Sequence, residues 1–260
     1  MDWSAGVLGF AAGVVIAFVT APVGVSGAVF LLPVQLSVLS VPSPAVTPTN
    51  LLYNVVAGPG ALLRYGRDGL LYGPLTRRLI AGSLPGVVVG AAVRVFAVPG
   101  GGVFRVLVAV LLLPLGAWLV VRTLRPGTLR AAEPSPRAVT GLALVVGVVG
   151  GIYGIGGGSL LGPILVGRGM PVVRVAPAAL AATFLTSSVG AGTYALLSLT
   201  GGEDIAPDWS LGLACGLGGL IGGYFGARVQ AHVPERALRL LLGGLAAAVG
   251  AFYATQAAAA

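Results

Sequence analysis

The chain has 260 residues, of which 57% are hydrophobic and only 8% charged. A soluble domain carries roughly a quarter charged residues, so this chain has too few polar groups to cover a water-facing surface. The formal net charge of +8 comes from 15 basic residues, all arginine. They sit in short connections between apolar stretches and read as membrane-topology signals, not as a nucleic-acid surface. The 43 glycines and 18 prolines suit helices that pack closely or break within a bilayer.

Ten apolar segments follow in chain order, at 4–21, 24–40, 45–63, 78–98, 103–121, 138–153, 157–167, 175–199, 209–227 and 236–255. The start of the chain has Asp2 and no basic residue, so no cleavable leader is expected. The second segment is short, contains Pro33 and opens with Gly24-Val25-Ser26-Gly27-Ala28. The third carries Thr49, Asn50 and Asn54 just after Pro48; Asn50 and Asn54, four residues apart, share a helix face. Proline, charge and small residues mark 122–137 (RTLRPGTLRAAEPSPR) as an exposed linker. The seventh segment, with Pro163, follows Gly154-Ile155-Gly156-Gly157-Gly158-Ser159. The eighth holds Thr183, Thr186 and Ser187, and the ninth holds Cys215, the one cysteine, in an apolar setting that suits packing. Segments two and seven stay open between full spans and half-helices.

The two sides of the linker look alike. An offset of 130 aligns Gly24 with Gly154, Gly27 with Gly157 and Pro33 with Pro163. A further slip of three sets Asn50 against Thr183, Asn54 against Ser187, and Gly86 and Gly90 against Gly219 and Gly223. The expected organisation is a first membrane repeat at 1–121, a cytoplasmic linker at 122–137 and a second membrane repeat at 138–260. With that linker inside the cell, 13 arginines fall inside and two, Arg94 and Arg105, outside, while the acidic 200–208 loop lands outside. Five segments per half, an odd number, turn the second half over relative to the first. The expected fold is therefore an all-α integral membrane protein of two inverted repeats with glycine-rich broken or re-entrant helices, an organisation that recurs in secondary transporters.

Four glycines within 154–158 allow backbone conformations closed to other residues. Such a run breaks a helix and turns N–H groups toward an anion; close helix packing is the alternative reading. Gly156, Gly157, Gly158 and Ser159 are candidate site residues on this ground, with Ser26 and Gly27 as their first-half counterparts. Asn50, Asn54, Thr183 and Ser187 are added because buried amides and hydroxyls need partners in hydrocarbon. No Asp, Glu, Lys or His lies at the centre of a span, where such groups mark proton relays and ion coupling. The single His232 sits in a charged loop. No metal site, cofactor or catalytic set is expected, and the chain reads as a non-enzyme. Trp3, Trp118 and Trp209 stand near segment ends, as interfacial anchors do.

On GIGGGSLLGPIL at 154–165, ALAATFLTSSVGAGTY at 179–194 and TNLLYNVVAGPGALLRYGRDG at 49–69, the chain resembles the TauE/SafE family of sulfite exporters, also described as probable membrane transporter proteins. The usual first-half motif of that family is a glycine triplet, replaced here by Ser26-Gly27-Ala28. The resemblance implies movement of sulfur-containing anions, such as sulfite and sulfonates, across the cytoplasmic membrane. The expected protein is a multi-pass secondary transporter of the cytoplasmic (inner) membrane, exporting a small inorganic or organic anion. Membrane lipid is its other partner, nucleic acid is not, and a homodimer is left open. An anion channel and a non-transporting membrane assembly partner are the alternatives.

Overall fold

The structure is a computed structural model that describes residues 3–37, 39, 41, 43–96, 102–125, 134–201 and 206–258. The described residues form ten α-helices and one 3-10 turn: α1 (Trp3–Thr20), the turn Ala21–Val23, α2 (Ala28–Ser37), α3 (Ser43–Arg67), α4 (Pro74–Phe96), α5 (Gly102–Leu124), α6 (Pro136–Tyr153), α7 (Leu161–Gly167), α8 (Val172–Gly201), α9 (Trp209–Gln230) and α10 (Glu235–Ala258). No strand occurs among them. Six helices are long and apolar enough to cross a bilayer. The chain is thus an all-helical, multi-pass membrane protein. Arg130, Glu203 and Asp204, which the sequence places in connecting loops, lie outside the described residues.

Glycine decides how the helices meet. Lipid tails are as apolar as leucine, so membrane helices associate through close backbone approach and dispersion. Gly218, Gly222 and Gly226 on α9 lie against the carbonyls of Phe10, Val14 and Phe18 on α1. On a second face of α9, Gly212 and Gly216 receive the side chains of Leu52 and Val56 of α3. Leu213, Leu217, Ile221 and Phe225 point away from both partners and are exposed, forming a lipid-facing ridge. The same packing recurs on α4, where Gly82, Gly86 and Gly90 meet the carbonyls of Thr140, Leu144 and Val148 of α6.

These pairings also give direction. Residue numbers rise together along α1, α3 and α9, which are therefore mutually parallel. They rise together along α4 and α6, and along α4 and α8, where Val87 meets Gly190 and Ala91 meets Tyr194. Between α3 and α8 they run oppositely, because Leu51 meets Gly190 while Gly58 meets Phe184. The α5 and α10 pair is also antiparallel, with Leu113 on Gly250, Gly116 beside Ala247 and Val120 on Gly243.

The two short helices belong to broken returns. Tyr65, near the end of α3, donates its hydroxyl to the Ala21 carbonyl at 3.0 Å. Asn50, four turns earlier on α3, donates to the Ala28 carbonyl at 3.3 Å. Leu39 and Val41 then pack beside Val46 and Leu211. The stretch 21–41 therefore runs back along α3, broken near its middle. The second half does the same between Tyr194, whose hydroxyl donates to Gly151 O at 3.0 Å, and the start of α8. Helix starts only at Ala28 and Leu161, several residues later than the apolar segments at 24 and 157, because Gly24, Gly154 and Gly156 adopt φ of 75°, 71° and 72°, which stops the ladder.

Tyr65 and Tyr194 make alike hydrogen bonds to Ala21 and Gly151, 129 residues apart, a spacing that sets Asn54 beside Thr183 and Asn50 beside Ala179 and so differs from the pairs Asn50–Thr183 and Asn54–Ser187 read from sequence. By packing partners Gly86 and Gly90 resemble Gly222 and Gly226, where the sequence reading set them against Gly219 and Gly223. Alignment of glycine-rich helices by composition is loose, because every fourth residue offers an equally good match.

Candidate functional site

The breaks after α1 and α6 bring two loops into the middle of the bundle, where Gly162 lies against the Gly24 carbonyl. In the first loop Ser26 Oγ donates to Asn54 Oδ1 and accepts from Ala28 N at 3.1 Å. This arrangement leaves the Asn54 Nδ2 group buried without a hydrogen-bond partner. In the second loop Gly157 N donates to Thr186 Oγ1 at 2.9 Å, and that hydroxyl in turn donates to Ala182 O at 2.7 Å. Ser159 Oγ turns back to Ile155 O. Thr183 Oγ1 and Ser187 Oγ are buried and unpartnered.

The glycines make room for these hydroxyls. A Cβ on Gly156 would lie 2.5 Å from Thr183 Cγ2 and 3.0 Å from Ser187 Oγ, and one on Gly158 would lie 1.8 Å from the Ala179 carbonyl. Any side chain there would push α8 from the loop. Gly27 has a comparable role in the first half, since its Cβ would meet the Tyr53 hydroxyl.

A cavity of about 40 Å³ lies beside the first loop, among α1, α3, α8 and α9, with Thr20, Ser26, Tyr53, Asn54 and Thr183 as its polar wall and Ala57, Leu180 and Phe184 among its apolar wall. A water needs roughly 10–15 Å³ measured this way, so the cavity holds about three, near the footprint of one small oxyanion. Among the described residues no charged side chain lines it. Leaving buried donors unmade costs about 1–3 kcal/mol each, so the free groups of Asn54 and Thr183 are expensive unless something accepts from them.

The cavity lies toward one end of the bundle. Its lining includes Ala17 and Thr20 at the end of α1, Ala61 on α3, Gly223 on α9 and Leu180 on α8. By the helix directions, that end also carries Arg64, Arg67, Arg77, Arg78, Arg168, Arg174 and Arg228. Arg122 joins it through a 3.5 Å hydrogen bond to Gly167 O, and Glu235 through its carboxylate, which accepts from Val172 N at 2.9 Å and pairs with Arg239 at 2.9 Å. Toward the opposite end Leu51 and Val87 both pack against Gly190.

Of the residues singled out from sequence, Ser26, Gly27, Asn54 and Thr183 line the cavity. Gly156, Gly157, Gly158 and Ser187 form the wall behind it through the contacts above. Asn50 is fully buried and holds the first loop through Ala28, while Ser159 borders a small apolar void with Val25 and Leu160. Tyr53, Phe184 and Ser83 were missed. Ser83 sits against Gly157, and its only signal was a lone serine in an apolar segment.

With the paired loops and their cavity in place, the comparison with known families is decisive: the sulfite exporter TauE/SafE family matches residues 9–253. The chain belongs to that family. No curated protein and no solved structure matches it. Family membership makes the chain a membrane transporter, and the broken helices of this TauE/SafE protein supply the irregular backbone that a bilayer tolerates only where it is buried in protein or lines a cavity.

Proposed function

We propose that this TauE/SafE protein is a secondary transporter that exports small sulfur-containing anions, sulfite and sulfonates, across the cytoplasmic membrane. The observation that carries the reading is the cavity beside the first loop, lined by Asn54 and Thr183, whose buried Nδ2 and Oγ1 groups lack partners. Ser26 orients the Asn54 amide by occupying its oxygen. The glycines of 156–158 let α8 approach closely enough to present Thr183 and Ser187.

We further propose that residues 1–121 and 138–260 are inverted repeats joined by a cytoplasmic linker. Support comes from the antiparallel course of α3 against α8 and of α5 against α10, and from the matched bonds of Tyr65 and Tyr194. In this reading the arginine-rich end faces the cytoplasm, and the cavity is loaded from that side. Exchange of the packing between the halves would open the opposite path, past Gly190. A negative interior favours the outward step of a monovalent anion by about 2.3 kcal/mol per 100 mV, which suffices for export without a coupling carboxylate. The test is sulfite flux in proteoliposomes under an imposed potential. Saturable, voltage-sensitive flux is expected, and flux that follows only a proton or sodium gradient would reject the mechanism.

A further inference from the structure

Resting on that transport reading, we propose that the cavity selects by charge and takes singly charged oxyanions while rejecting doubly charged ones of the same size. The polar wall consists of the neutral groups Thr20, Ser26, Tyr53, Asn54 and Thr183, and among the described residues no arginine or other charged side chain lines it. Asn54 is 4% exposed and Thr183 3%, and their Nδ2 and Oγ1 groups have no partner within the protein. The rest of the lining is apolar, Ala57, Ala61, Leu180 and Phe184 among it.

Such a wall stabilises one negative charge and leaves a second uncompensated. The cost of removing an ion from water rises with the square of its charge, and a buried charge without an opposite charge is tolerated only if hydrogen bonds make up the difference. Two neutral donors suit an anion whose charge spreads over a few oxygens. A dianion would need a cation in the wall, as carboxylate and phosphate sites commonly supply through arginine. The arginines stand at the bundle end and attract either kind of anion to the entrance, so discrimination falls to the cavity.

Three tetrahedral anions of similar size separate charge from shape: sulfate carries two charges, perchlorate and methanesulfonate one each, and methanesulfonate alone has a methyl group. Initial uptake of each into proteoliposomes of the full chain is expected to favour both singly charged anions over sulfate by about a hundredfold. Sulfate uptake within a few-fold of theirs, with transport present, would overturn charge selection and leave the transport reading intact. Methanesulfonate uptake with perchlorate and sulfate both excluded would overturn it as well, in favour of recognition of the methyl group. No flux of any anion would remove the transport reading and the selectivity built on it. Leu180→Lys supplies the missing cation in the wall, and in a variant that elutes as a single folded species it is expected to raise sulfate uptake at least tenfold. Sulfate still excluded from that variant would contradict the electrostatic cause.

Discussion

Gly222→Ala adds one methyl group at the tightest kind of contact in the bundle. The new Cβ would lie 2.1 Å from the Val14 carbonyl oxygen and 2.8 Å from its carbon, whereas a comfortable C···O approach is about 3.3 Å. Relief requires α1 and α9 to part by roughly 1 Å. Gly218 and Gly226 hold the same seam, with hypothetical Cβ positions 2.0 and 2.4 Å from the carbonyls of Phe10 and Phe18, so one local shift opens the whole contact. Overpacking of this kind costs about 1–3 kcal/mol, reduced by the roughly 1 kcal/mol that alanine gains over glycine in a helix. A net loss of up to about 2 kcal/mol is expected. Gly192 and Gly244 are controls, since a Cβ on either meets nothing within 4 Å, and alanine there should be neutral or stabilising by up to about 1 kcal/mol. Thermal unfolding of detergent-solubilised protein, followed by the loss of the monodisperse peak, ranks the three variants. Gly222→Ala as stable as Gly192→Ala and Gly244→Ala would refute the claim that the stripe exists for backbone approach.

Tyr194→Phe removes the hydroxyl donor to the buried Gly151 O and should cost about 1–3 kcal/mol in the same unfolding assay. Tyr65→Phe removes one of two donors to Ala21 O, which keeps Gly24 N, and should cost about 1 kcal/mol, with the two losses additive in the double variant because the bonds share no partner. In a Cys215→Ala background, Ala61→Cys on the cavity wall should react with a membrane-impermeant maleimide only from the arginine-rich side. Gly190→Cys, packed between Leu51 and Val87, should not react from the other side in the resting protein, and ready labelling there would place the cavity on the wrong side of the seal. Glu235→Ala removes the acceptor for Val172 N at the start of α8 and the partner of Arg239. A loss of about 1 kcal/mol is expected, read as a lower unfolding temperature.

Much of the architecture was legible from the chain because composition in a bilayer leaves few choices. The apolar segments mark the helices, while most of the expected linker, 126–133, lies outside the described residues. The breaks at Gly24 and Gly154–Gly158 also follow from sequence, since positive φ at these positions needs glycine. The register between α3 and α8 did not. It shows in where Tyr65 and Tyr194 reach backbone carbonyls, a tertiary fact with no trace in glycine spacing. The site was legible as residue types and not as roles. Asn50 and Asn54 share a helix face, yet one secures the loop through Ala28 and the other lines the cavity with its Nδ2 group buried and unpartnered. Tyr53 and Phe184 looked like ordinary apolar span residues, and only the approach of α3, α8 and α9 makes them walls.

The most direct test of the account is sulfite uptake into proteoliposomes by the native chain and by Asn54→Ala, Thr183→Val and Gly157→Leu, all measured under the same imposed potential. The cavity reading predicts saturable, voltage-sensitive flux in the native protein. It predicts losses of about tenfold or more for Asn54→Ala and Thr183→Val, the worth of one hydrogen bond to a charged group, and no flux for Gly157→Leu, whose side chain would strike Ser83 and Thr186. Native-like flux from folded Asn54→Ala and Thr183→Val would contradict the claim that the anion passes through the cavity that Asn54 and Thr183 line.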